Sequence, residues 1–189
     1  MKKQLLHSGW QLTTVGKNDT IPATVPGSVY NDLLNAGRME DPYWRDNEMK
    51  ALALMDEDYR YNTTFDVNAD VLNSERVLLR CEGLDTIADI VLNGEKIASV
   101  CNMHRTWEFD VKDSLKTAGN TLEIVFHSPT KYIKEQDKIC HAGGSEDAMV
   151  GFPNLRKAHC MFGWDWGPRL PDAGRSEERR VGKECRSRW

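Results

Sequence analysis

The sequence predicts an all-β fold, a two-sheet antiparallel β-sandwich with a few short helices, and three observations carry that prediction. Six or so short segments alternate apolar and polar residues with a period of two. They recur at spacings of roughly ten residues, and Gly, Asn and Pro turn signals fall between them. A chain of 189 residues, 40% of them hydrophobic, is long enough for one domain with its own core. It is short for a (β/α)8 barrel, which takes about 250 residues, and it shows no repeated βαβ units of the dinucleotide-binding kind.

Residues 1 to about 27 read as irregular, with one short strand around Trp10 to Thr14 and a closing turn at Val25-Pro26-Gly27. A short helix follows, because Ser28 is a good N-cap, Val29 and Leu33 share a face, and Gly37 supplies a left-handed stop. From Asp41 to Asp56 periodicity is uninformative, and Pro42, Tyr43 and Trp44 point to a packed loop. Tyr61, Thr63, Phe65 and Val67 then alternate with Arg60, Asn62, Thr64 and Asp66, and Val77, Leu79 and Cys81 alternate with Leu78, Arg80 and Glu82. Ala88, Ile90 and Leu92 lead into Asn93-Gly94, a pair that tolerates positive φ at both positions and so predicts a tight type I′ hairpin returning through Ile97 to Val100. Trp107, Phe109 and Val111 form a further alternating set, and Leu122, Ile124 and Phe126 another. Ser128-Pro129 marks the start of a short helix through Lys138. Beyond it Gly143, Gly144, Gly151, Pro153, Gly163, Gly167, Pro168, Pro171 and Gly174 predict a stretch held by loops rather than by regular elements.

Charge divides the chain unevenly. Residues 175–189 hold six Lys/Arg and three Asp/Glu, which leaves 19 basic and 26 acidic residues in the first 174 and turns the overall net charge of −4 into −7 there. The basic string resembles a translated sequencing adapter fused in frame, so the expected organisation is one domain over residues 1–174 followed by a non-native, disordered tail over 175–189. The acidic balance of the first 174 residues argues against a nucleic-acid partner. No apolar stretch approaches the roughly 20 residues that span a bilayer, and the basic start meets His7, Ser8 and Gly9 before a secretory core can form. A soluble, cytoplasmic protein is expected, with its five scattered cysteines reduced.

The stretch richest in possible chemistry is Phe162-Gly163-Trp164-Asp165-Trp166-Gly167-Pro168-Arg169. Two indoles bracketing a carboxylate offer flat apolar faces to the C–H face of a sugar and an acceptor to its hydroxyls. The structural alternative is a corner of Trp164 and Trp166 that plugs one end of the sandwich while Asp165 caps backbone N–H groups, and on residue types alone it carries more weight. Cys140-His141 and His159-Cys160 lack the spacers of a zinc site, so no metal and no cofactor are assigned. Asp85 and Asp89 flank a strand entering the Asn93-Gly94 hairpin, where turn capping or solvation is the expected role.

Three separated runs in order carry a resemblance: Val25-Pro26-Gly27-Ser28-Val29-Tyr30-Asn31-Asp32-Leu33-Leu34; Gly83-Leu84-Asp85-Thr86-Ile87-Ala88-Asp89-Ile90-Val91-Leu92-Asn93-Gly94; and Arg156-Lys157 followed by Phe162-Gly163-Trp164-Asp165-Trp166-Gly167-Pro168. Over residues 1–174 the chain resembles the N-terminal domain of β-mannosidases of glycoside hydrolase family 2. The resemblance implies a jelly-roll sandwich of the galactose-binding-domain type. It also implies retaining hydrolysis of terminal, non-reducing β-D-mannose from an oligosaccharide or glycan. The two catalytic glutamates of such enzymes sit on a later (β/α)8 barrel of the same polypeptide, so this chain alone is expected to be inactive, with no catalytic residue of its own. By the same resemblance Asp165 accepts hydrogen bonds from mannose hydroxyls, and Trp164 and Trp166 shape the pocket wall; the Arg156 guanidinium is expected to hold a nearby carboxylate by two parallel bonds, with a surface ion pair carrying at least equal weight. A stand-alone carbohydrate-binding module is the rival expectation.

Overall fold

Strands form where the two-residue period puts apolar side chains on one face. A computed structural model describes residues 3–175, and residues 176–189, nearly all of the expected tail, lie outside the described residues. In chain order the elements are β1 (Gln11–Thr14), β2 (Thr20–Pro22), β3 (Gly27–Ser28), α1 (Val29–Asn35), α2 (Asn47–Leu54), β4 (Tyr59–Phe65), α3 (Ala69–Leu72), β5 (Leu78–Cys81), β6 (Ile87–Leu92), β7 (Glu95–Cys101), β8 (Trp107–Asp110), β9 (Asn120–Phe126), α4 (Pro129–Ile139), β10 (Phe162–Trp164), β11 (Gly167–Arg169) and β12 (Gly174–Arg175).

Six strands pair antiparallel in the order β2-β1-β4-β9-β6-β7. Along β9 the buried residues are Asn120, Leu122, Ile124 and Phe126, and along β6 they are Ala88, Ile90 and Leu92. The register sets Ile90 and Tyr61 on either side of Ile124, so one apolar row crosses three strands. Burying each such aliphatic side chain contributes about 1.5–3 kcal/mol. Tyr61 and Phe126 meet edge to face, with ring centroids 5.8 Å apart. Three two-stranded antiparallel sheets, β5-β8, β3-β12 and β10-β11, complete the hydrogen bonding. Cys81 at the end of β5, with Val77 and Val111 flanking that pair, belongs to the same core as the six-stranded sheet.

The turn chemistry follows the sequence closely. Asn93 and Gly94 have φ of 52° and 84°, as a type I′ turn requires. Ser28 Oγ accepts from Asn31 N at 3.4 Å and Ser128 Oγ from Lys131 N at 3.1 Å, capping α1 and α4.

Two elements depart from expectation. The Asp41 to Asp56 stretch contains the helix α2, which buries only Asn47 and Ala51 of its own residues, with Met55 just beyond its end. Tyr30 Oη fastens it by donating to the Ala51 carbonyl at 2.8 Å. The Gly-rich segment also contains a hairpin, β10-β11. Among the described residues the antiparallel sheets are thus accompanied by four short α-helices, in keeping with the expected antiparallel sheets with short helices.

Candidate functional site

The hairpin β10-β11 carries three of the four candidate residues. Phe162 pairs with Arg169 and Trp164 with Gly167, so Asp165 and Trp166 are the two residues of the turn. Phe162 is buried with Ile133 and Leu155 in a small second core and anchors the root. Gly163 has a φ of 109°, and a Cβ there would come within 2.6 Å of the Asp147 carbonyl oxygen and 2.7 Å of Arg169 Cγ, so only glycine fits. From this root the turn projects outward. Trp164 is 49% and Trp166 76% exposed, with ring centroids 6.4 Å apart and planes inclined by 50°. Asp165 is exposed, and its carboxylate makes no hydrogen bond or ion pair among the described residues. Among the described residues neither indole is buried and Asp165 caps no backbone N–H, which speaks against the corner-plug alternative. What remains is an uncommitted carboxylate between two wet aromatic faces, able to accept hydroxyl hydrogen bonds beside an apolar platform.

The other flank of the hairpin leans on α2. Glu48 Oε1 accepts from Arg169 Nε at 2.8 Å and from the Arg169 backbone N at 3.1 Å. Burial works against the Glu48 charge, but the hydrogen bonds and charge of Arg169 outweigh it and hold the carboxyl below its ordinary value. α2 also lines a cleft of about 270 Å³ with Arg38, Met39, Glu40, Asn47, Lys50, Ala51 and Leu54, and none of the four candidate residues reaches it.

Arg156 makes no hydrogen bond or ion pair with the hairpin turn among the described residues. Its backbone bridges to Asn102, and its exposed guanidinium forms no ion pair among the described residues, so the expected carboxylate partner is absent there. The residue after it is the one the fold uses. Lys157 is only 1% exposed, and its Nζ donates to Asp85 Oδ2 and to the Asp172 carbonyl, both at 2.5 Å. Burial pushes the Lys157 ammonium down, against the pull of Asp85. Asp85 also exchanges backbone hydrogen bonds with Gly174 in both directions at 2.8 Å, and the Thr86 hydroxyl donates to its Oδ1. The Asp172 carboxyl, pushed up to about 6 by burial, accepts from Tyr30 N at 3.0 Å and Ala173 N at 2.8 Å. Sequence reasoning missed this cluster and expected Asp85 to be solvated or to cap a turn. The available clue was a lone acid in the otherwise uncharged run Gly83 to Ile87.

Asp89 is also engaged. It sits on β6 with Lys96 Nζ at 2.8 Å, Ser99 Oγ at 2.7 Å and His127 Nε2 at 3.2 Å, while His127 Nδ1 reaches Asp58 at 2.9 Å. His141 lies against Asp137 at 3.1 Å and His159 edge-on to the Phe152 ring at 4.9 Å. Among the described residues no three His, Cys, Asp or Glu side chains gather as a metal site, and no helix is long and apolar enough to cross a membrane.

Residues 10–176 match the family described as glycosyl hydrolase 2 galactose-binding domain-like. The chain is 32% identical over 187 residues to a β-mannosidase of Bos taurus, covering 89% of this chain and 20% of that protein. It is 34% identical over 177 residues to β-mannosidase A of Aspergillus terreus, covering 88% and 19%. Among solved structures it resembles a β-D-mannosidase from Dictyoglomus thermophilum with a TM-score of 0.84 at 37% identity, over 89% of this chain and 21% of that one. An exo-chitosanase from Amycolatopsis orientalis, at 20% identity and a TM-score of 0.55 over 63% of this chain and 16% of that one, shares the fold. The chain spans about a fifth of the length of the curated relatives it matches.

Proposed function

Because the chain belongs to the glycosyl hydrolase 2 galactose-binding domain-like family, we propose that it serves as the N-terminal domain of a β-mannosidase, a retaining glycosidase that removes terminal, non-reducing β-D-mannose. Supporting this are the β-mannosidases of cattle and Aspergillus, matched over nearly nine-tenths of the chain. In this reading β5-β8 and β3-β12 are the second layer of a jelly-roll sandwich laid over the six-stranded sheet, in keeping with the core they share with it. Retaining hydrolysis needs two carboxyl groups about 5–5.5 Å apart across the scissile bond, and these belong to a (β/α)8 barrel of the same protein. The chain by itself is then inactive and contributes part of the sugar pocket.

The observation that carries the binding role is the unpaired Asp165 carboxylate between two exposed indoles. Asp165 accepts from mannose hydroxyls, Trp164 and Trp166 wall the pocket, and Arg156 awaits a carboxylate from outside the described residues. Sequencing the source locus past the Gly174 codon is the first test. A frame that runs on into a linking domain and a barrel with two glutamates supports the reading. A genuine stop after Trp189 moves a stand-alone carbohydrate-binding module into first place. In the intact gene product Asp165→Ala lowers kcat/KM for p-nitrophenyl β-D-mannoside by about 100-fold, since a substrate hydrogen bond to a charged group is lost. An unchanged kcat/KM would exclude Asp165 from the pocket.

A further inference from the structure

A hairpin of two three-residue strands does not hold itself in water, yet the Trp164-Asp165-Trp166 turn stands clear of the surface. The β10 strand is secured on its own account. Phe162 is buried, Gly163 lies against the Asp147 carbonyl, and the Phe162 carbonyl accepts from Met149 N at 2.9 Å. The β11 strand is held differently: beyond its pairing with β10, Leu170 just past its end packs on the main core. Gly167, Pro168 and Arg169 are all partly exposed, and Pro168 has no N–H to give. The bond from β11 to the body of the domain is made by Arg169. One oxygen, Glu48 Oε1, takes both its backbone N–H and its Nε–H. Because both donors converge on that oxygen, the carboxylate fixes the backbone of β11 and the direction of its side chain together.

We propose that Glu48, far from the turn in sequence, is the positioning residue that sets the relative placement of Trp164, Asp165 and Trp166 through Arg169. The functional meaning of that placement rests on the sugar-contact reading above. The placement itself does not. Two indoles 6.4 Å apart and inclined by 50° couple excitonically, so their geometry has its own signature in circular dichroism.

The test uses the 189-residue chain with Glu48→Ala, Glu48→Gln and, as a reference for the indole pair, Trp166→Phe. In Glu48→Ala the couplet that Trp166→Phe removes is lost. Amide exchange across residues 163–169 speeds about tenfold or more, while exchange in β4 and β9 and the urea midpoint stay at wild-type values. Glu48→Gln keeps an acceptor for the Arg169 N–H but loses the charge, so it falls between. In the wild type the couplet persists at neutral pH and fades as acid protonates Glu48 below the ordinary carboxylate range, because the folded-state value is depressed.

An unchanged couplet in Glu48→Ala overturns the proposal. So does exchange at the hairpin that merely follows a lowered urea midpoint, since that would be a general structural role. Should Glu48→Ala fail to fold, the Gln variant and the acid titration decide, and a couplet insensitive to both overturns it. Saturation-transfer NMR with methyl β-D-mannoside is read separately. No transfer to the wild type counts against sugar contact and leaves the dependence of the couplet on Glu48 intact.

Discussion

Replacing Lys157 by Met removes one ammonium and keeps an apolar stem of similar length. The charge lost is the partner of Asp85, at 6% exposure, and the space around Lys157 itself is closed. Asp85 Oδ1 still has the Thr86 hydroxyl, but Oδ2 is left with no donor in a site closed to water. Removing one member of a buried pair costs about 3–5 kcal/mol, because the surviving charge stays buried and unpaired. An exposed pair such as Lys138–Glu135, with both side chains about two-thirds exposed, is worth only about 0.3–0.5 kcal/mol. At roughly 2–4 °C per kcal/mol for a domain of this size, Lys157→Met lowers Tm by about 6–20 °C. The assay is urea unfolding followed by tryptophan fluorescence, with the m-value checked for constancy. Adding Asp85→Leu to Lys157→Met recovers most of the loss, since the stranded charge goes too, and the cycle gives a coupling above about 2 kcal/mol. A loss below about 1 kcal/mol in the single variant would refute the assignment of Lys157 as a buried structural ion.

Two further outcomes are expected. Burial opposes the charge on His127, but its hydrogen bonds to Asp58 and Asp89 outweigh that and raise its pKa, so the imidazolium adds stability that is full below the unfolded value of about 6.5 and vanishes as pH rises through the folded one. His127→Ala therefore lowers the unfolding free energy read from urea curves near about pH 5.5, by at most about 1 kcal/mol for so solvent-screened a group, and hardly at all near about pH 8.5; a pH-independent difference would contradict this. Gly163→Ala, at a φ of 109° and with its new Cβ 2.6 Å from the Asp147 oxygen, destabilises the chain by about 2 kcal/mol or more; a wild-type melting curve with the indole couplet intact would show that the close approach is not rigid.

What the sequence discloses tracks how local the cause is. β4, β6 and β9 of the six-stranded sheet are legible because each is buried on one face, which writes an alternation such as Leu122, Ile124, Phe126 directly into the chain, whereas β2, three residues with only Ile21 buried, is not. Asn93-Gly94 is legible because the turn itself demands two positive φ angles. The helix α2 is hidden because its buried face is narrow and uses the small, non-diagnostic Ala51, while the larger Met49 points to solvent. The β10-β11 pair is hidden because Gly167-Pro168-Arg169 carries no alternation at all. Trp164, Asp165 and Trp166 stand out by residue type, yet only their exposure separates a plug from a platform. Arg156 and Lys157 look equivalent as neighbours in sequence. Which one turns inward depends on Asp85 and Asp172, which no local pattern connects.

The pairing of β3 with β12, and the bond from Tyr30 N to Asp172 Oδ1 across 142 residues, give this domain a fixed order of completion on the ribosome. At about 5–20 residues per second, roughly 7–30 s separate the emergence of Tyr30 from that of its partner. Throughout that interval the nascent chain holds an open strand edge at Gly27–Ser28, and over its last 15 residues it adds a Lys157 site that cannot yet close. Arrival of Asp172 to Gly174 satisfies all of them together. A chain arrested before that point keeps that strand edge unpaired and the Lys157 site open, the features of an aggregation-prone intermediate.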